Sequence, residues 1–62
     1  MSLKQGDRYQ DTIFGTIYEV EGVITTNFAG LMMAKAINVD NNRCTRISLE
    51  FLMLENGFKK LN

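Results

Sequence analysis

RCTRISLEFLMLENGFKKL, residues 43–61, is the segment in which a strand, a helix, a stop and an exit can each be read from local chemistry. Arg43 to Ile47 mixes Cys, Thr and Ile in a β-prone run, and Ser48 then offers a hydroxyl to the free amides that begin a helix. Glu50 falls in the first turn, where a negative charge complements the positive end of the helix dipole. Phe51 at the third helical position rules out a reciprocal capping box. Leu49, Phe51, Leu52, Met53 and Leu54 are too continuous for a helix with one wet face. The pattern therefore predicts a short helix over Leu49 to Glu55 that plugs the end of a small sheet and buries most of them. Asn56-Gly57 stops it, with Gly57 left-handed beyond the last turn and Phe58 folded back onto Met53. Phe58 to Leu61 suffices for one edge strand, and Lys59 and Lys60 suit an edge because they discourage pairing with another chain.

Working outward, Asp40-Asn41-Asn42-Arg43 reads as a hairpin whose two-residue loop is Asn41-Asn42, since Asn tolerates the left-handed backbone of such turns. That loop would set Val39 opposite Cys44, Ala36 opposite Ile47 and Ala34 opposite Leu49, so that small residues meet large ones, as in the narrow interior of a small barrel. Leu31 to Val39 (LMMAKAINV) is compatible with helix or strand by composition, and the hairpin that follows favours the strand. Earlier still, Ile13 to Val20 (IFGTIYEV) reads as the clearest strand. It carries Phe14, Thr16, Tyr18 and Val20 on one face and Ile13, Gly15, Ile17 and Glu19 on the other. Gly15 suggests a bulge or bend, Glu21-Gly22 a turn, and Val23 to Thr26 a further strand with an exposed edge. Gly6-Asp7 marks a turn before a short strand at Arg8 to Gln10, and residues 1–5 carry no pattern and are expected to fray.

At 62 residues the chain makes one domain, and a chain of this size buries only roughly 60% of the surface its unfolded form exposes. One Cys and no His leave neither an internal disulfide nor a good zinc-ligand set, so no metal or other cofactor is expected and oligomerisation is the expected reinforcement. The 45% hydrophobic content is that of a globular chain. The polar first ten residues and the lack of a long apolar run point to the cytoplasm and away from a membrane.

Gly6-Asp7-Arg8-Tyr9, Gly15 to Val20, Thr45-Arg46-Ile47-Ser48 and Gly57 to Leu61, in that order and with a helical turn before the last strand, resemble the SH3-like small barrels of short bacterial and bacteriophage proteins. The resemblance is one of layout. It implies a mostly β fold, a single small barrel of about five strands with one short helix before the last, and a phage-type accessory or regulatory role. The ALYDY-like segment, groove Trp and Pro of peptide-binding SH3 domains are missing, and so is a KOW signature, so neither polyproline binding nor a ribosomal or transcription-elongation role carries over.

No His, Gly-rich phosphate loop or nucleophile motif supports catalysis, so no enzyme activity is expected. Cys44 reads as a small packing residue, and Glu19 with Glu21 as a solvated edge and not a cation site. Large apolar side chains exceed what one tiny interior holds. An exposed patch containing Tyr18, Phe28, Met32 and Met33 is therefore the expected contact surface of a protein-interaction module, self-associating as a homo-oligomer. The alternative is a nucleic-acid-binding barrel that uses Arg43, Arg46, Lys59 and Lys60, with Tyr9 or Tyr18 for stacking. Seven basic and seven acidic residues give zero net charge, with little segregation along the chain, which weighs against it.

Overall fold

The computed structural model describes residues 3–25 and 30–61. Five strands and one short helix follow in order: β1 (Arg8–Asp11), β2 (Ile17–Thr25), β3 (Met32–Asn38), β4 (Arg43–Ser48), α1 (Leu49–Met53) and β5 (Phe58–Lys60). The fold is mostly β, with all five strands in one antiparallel sheet of order β4-β3-β2-β1-β5 and the helix before the last strand, as expected. No ladder joins β4 to β5, so the ring of strands is not closed by hydrogen bonds among the described residues. Helix α1 instead touches β3, β4 and β5, and its Leu52, 1% exposed, is the plug.

The first strand pair shows why β2 begins later than Ile13. Asp11 Oδ1 accepts from the amides of Ile13 at 2.7 Å and Phe14 at 3.2 Å, and the Gly15 amide donates to the Asp11 carbonyl at 2.8 Å with Gly15 at φ 76°. An acidic side chain that satisfies two backbone donors holds the chain in a turn. Ile13 and Phe14 are consequently lifted out of the ladder to 79% and 82% exposure, and Gly15 serves this turn and not a bulge. Glu21-Gly22, expected to be a turn, lies inside β2: Val20 stands opposite Ala36 and Gly22 opposite Lys35, leaving Glu21 as the extra residue of a β-bulge. The extra residue reverses the alternation, so Val23 falls opposite Ala34 on the core side. Val23 to Thr25 thus continues β2, paired with β3, and is no separate strand; Thr26 lies outside the described residues.

The strand reading of residues 31–39 holds, with a correction of register. Asn38 pairs with Arg43, so the connection is the four residues 39–42 and the partners are Ala34 with Ile47, Ala36 with Thr45 and Ile37 with Cys44. The Asn42 amide donates to the Asn38 carbonyl at 2.8 Å, while the side-chain oxygens of Asn38 and Asn41 accept from the amides of Asp40 and Arg43. Only Asn42, φ 61°, takes the left-handed conformation there. A shift of two residues leaves every side chain on its expected face, so Ala34 and Ala36, both 0% exposed, still back onto Ile47 and Val20. These four, with Tyr9 and Leu52, are the core, against which Leu3, Tyr18 and Phe58 pack.

Ser48 occupies the N-cap position but makes no side-chain capping bond. At the other end the amides of Glu55 and Asn56 donate to the carbonyls of Leu52 at 3.2 Å and Phe51 at 2.9 Å. That pair of bonds is a Schellman ending with Glu55, φ 52°, as its left-handed residue, while Gly57, φ 83°, turns the chain into β5. Phe58 meets the Tyr18 ring edge to face, centroids 6.2 Å apart.

Candidate functional site

The pairing of Met33 with Ser48 sets the start of β3 beside the junction of β4 and α1. Gly30, φ 66°, leads into Leu31 there, and between residues 30–32 and the segment Ser48 to Leu54 lies a cleft of about 420 Å³. Its walls are Leu31, Met32, Leu49, Met53 and Leu54, with Ser48 and Glu50 as the polar members. Leu31 is 60% and Leu54 70% exposed. The expected plug helix therefore buries Leu52 fully but leaves Phe51 half-exposed and Leu54, just past its end, largely in water, because a helix of barely one and a half turns seats only one side chain on the sheet. An apolar trough of this size is the form of a binding surface for apolar side chains.

Of the residues expected to form the contact patch, Met32 lines this cleft. Met33, the next residue of the same strand, points to the opposite face and is half-buried. Tyr18 pairs with Asn38 at the other end of β3, six residues and about 20 Å from Met32, and is packed against the core and Phe58. Phe28 lies outside the described residues. The expected patch is thus not one surface. Leu31 and Leu54, the most exposed apolar walls of the cleft, were not placed in the patch; Leu31 belongs to the surplus of large apolar residues, and Leu54 is the last apolar residue of a run too continuous to bury entire.

The four expected nucleic-acid contacts are divided between β4 and β5, the two ends of the sheet order. Arg43 and Arg46 are exposed on β4, where they alternate to opposite faces, and make no ion pair with a described residue. Lys59 is exposed on β5, whereas Lys60 turns inward, 28% exposed, with Nζ 3.9 Å from Oδ2 of the buried Asp7. The same Asp7 oxygen accepts from the Lys4 amide at 3.1 Å. Nearby Tyr9 has its hydroxyl pKa raised above the ordinary 10.0, first by burial and then by the carboxylates of Asp7 and Glu55.

On the outer face of the sheet, Glu19 Oε1 is 3.0 Å from Arg8 Nε and Glu21 Oε1 is 3.9 Å from Lys35 Nζ. Each carboxylate of this pair already has a cation of the protein's own, and the bulge, not a turn, places Glu21 there. Cys44 is exposed on the same face and not a packing residue; its Sγ is 3.8 Å from Glu21 Oε1. It lies opposite Ile37 because of the longer hairpin loop. Among the described residues no three His, Cys, Asp or Glu side chains gather as a metal site, and no helix is long and apolar enough to cross a membrane. Comparison of the chain with known protein families, with curated proteins and with solved structures gave no match.

Proposed function

We propose that this protein is a small non-enzymatic protein-interaction module whose cleft between β3 and α1 receives an apolar side chain of a partner. The observation that carries the reading is the cleft itself, walled by leucines and methionines and flanked by Leu31 and Leu54, which a lone domain has no folding reason to leave in water. The reading includes self-association. Ile13 and Phe14 form a second apolar projection, at a turn where neither contributes to the core, of the kind that another copy covers. It also takes the fold as SH3-like, supported by the strand order and by the helix before the last strand. Nucleic-acid binding is the weaker reading, because its four basic residues stand on opposite end strands and one of them is committed to Asp7.

Sedimentation equilibrium of the wild type, Leu54→Glu and Phe14→Glu tests this. An oligomer dissociated by Phe14→Glu alone leaves the cleft for a different partner, and one dissociated by Leu54→Glu makes the cleft the self-interface. A wild type that is monomeric at every concentration removes self-association from the reading.

A further inference from the structure

The sheet ends in two strands that are finished differently. At β5 the Leu61 amide donates inward to the Arg8 carbonyl, and the Lys60 amide, which points the other way, donates to Glu55 Oε1 at 3.2 Å. One outward amide of β5 is thus taken by the protein's own carboxylate. Strand β4 is twice as long, six residues against three, and among the described residues pairs only with β3. It runs straight into the cleft, which begins at Ser48.

Of the five cations outside β4 three have a carboxylate, Arg8 with Glu19, Lys35 with Glu21 and Lys60 with Asp7, while Lys4 and Lys59 have none among the described residues. Arg43 and Arg46, both on the open strand, have none among the described residues. At the other end of that strand the one charge is Glu50, on the cleft. The polarity is therefore cationic along β4 and anionic at the apolar end.

We propose that β4 and the cleft form one docking surface for an extended acidic peptide, which adds to the sheet as a sixth strand. This rests on the reading of the cleft as a protein-binding site. Every pairing in the sheet is antiparallel, and the antiparallel ladder is the more stable one, so the peptide runs against β4. Arg46 and Arg43 are three residues apart, hence the two carboxylates of the peptide are three apart. Its apolar side chain lies three residues ahead of the first carboxylate, level with Leu49 on the face of Met32 and over the cleft, where Glu50 disfavours an acid. The pattern is an apolar residue, any two residues, an acid, any two residues, an acid. No two carboxylates of this chain are three residues apart, so a second copy does not supply the match. A nucleic-acid strand meets the arginines but offers nothing to the alternating amides and carbonyls of a sheet edge.

Titration of the full chain with the peptide TLTTETVETT, followed by amide NMR, tests the proposal, with TLTTKTVKTT, TSTTETVETT and a single-stranded oligonucleotide as comparisons. Expected are saturable binding of the first peptide and slowed amide exchange along β4. Charge reversal, Arg43→Glu with Arg46→Glu, should raise Kd about tenfold, and the lysine peptide should bind more weakly by a similar factor. Leu54→Glu and the serine peptide should each weaken binding about tenfold. Equal binding of the acidic and lysine peptides, still abolished by Leu54→Glu, overturns the acidic strand while the cleft reading stands. Binding that Leu54→Glu and the serine peptide leave unchanged, with the arginine dependence intact, overturns the cleft reading. No binding of any peptide at millimolar concentration overturns the proposal, as does an oligonucleotide that binds more tightly than the acidic peptide and is released by the charge reversal.

Discussion

Strands β5 and β4 bound the same sheet and share almost nothing else. The first is three residues long, bonded back to Arg8, capped by Glu55 and pinned through Lys60 to a buried aspartate. The second is six residues long, exposed over its first four, with its arginines unmatched. The β5 side shows how far a 62-residue chain goes to satisfy an edge when satisfaction serves folding. Strand β4 is left otherwise in the same molecule, and the docking proposed for it rests on that difference.

Both edges depend on α1, so the largest effect expected is that of Leu52→Ala, the residue by which the helix sits on the sheet. A fully buried leucine lost from so small a core costs about 2–5 kcal/mol, read by urea denaturation. Next is Asp7→Ala, which strips an acceptor from the Lys4 amide and the counter-charge from Lys60. A loss of about 1–3 kcal/mol is expected, with the amides of β5 exchanging faster before those of β3. Gly57→Ala should cost about 1 kcal/mol, all of it backbone, because φ is 83° and the space where a Cβ would stand is open. Arg43→Ala and Arg46→Ala should each change stability by less than about 0.5 kcal/mol. A loss well above that would make them structural and break the contrast between the edges.

Smallest of all at neutral pH, where it vanishes, is the contribution of Tyr9. Its folded pKa is raised, so the native state holds the phenolic proton more tightly than the unfolded chain does. The sign is fixed by that: stability is unaffected below pH 10, falls as pH rises past 10, and the fall continues through the higher folded value. Tyr9→Phe should remove this component from a pH series of urea midpoints.

How much of this was legible in the sequence depended on how local the cause was. The β3–β4 hairpin and the strand-to-helix junction were readable because Asn and the apolar run act on their immediate neighbours. The loop proved two residues longer, but a shift of two conserves every face, so the core alanines were placed correctly with the wrong partners. The start of β2 was misread because apolar alternation in Ile13 to Val20 outweighed a single aspartate, whose two backbone bonds decide the matter. The helix ending was read in the right form at the wrong residue. Glu55 takes the left-handed position even with Gly57 close by, and its carboxylate is thereby set to receive the Lys60 amide. For the site, Met32 was visible and its setting was not. Which members of Leu49 to Leu54 face water is decided by where the sheet lies beneath a helix too short to have a periodicity. Tyr18 and Met33 were grouped with Met32 by residue type alone, and strand geometry sends the three to different places.

The bonding of Glu55 to the last strand has a further consequence for stoichiometry. A sheet whose end strands are both receptive propagates, each molecule passing its edge to the next, and the product is a fibre. Here the outward amide of Lys60 is already taken by Glu55, so on the docking proposal a strand accepted at β4 meets a less receptive edge at β5. On that proposal the molecule is monovalent in β-pairing. It would then terminate a row of strands and not lengthen one.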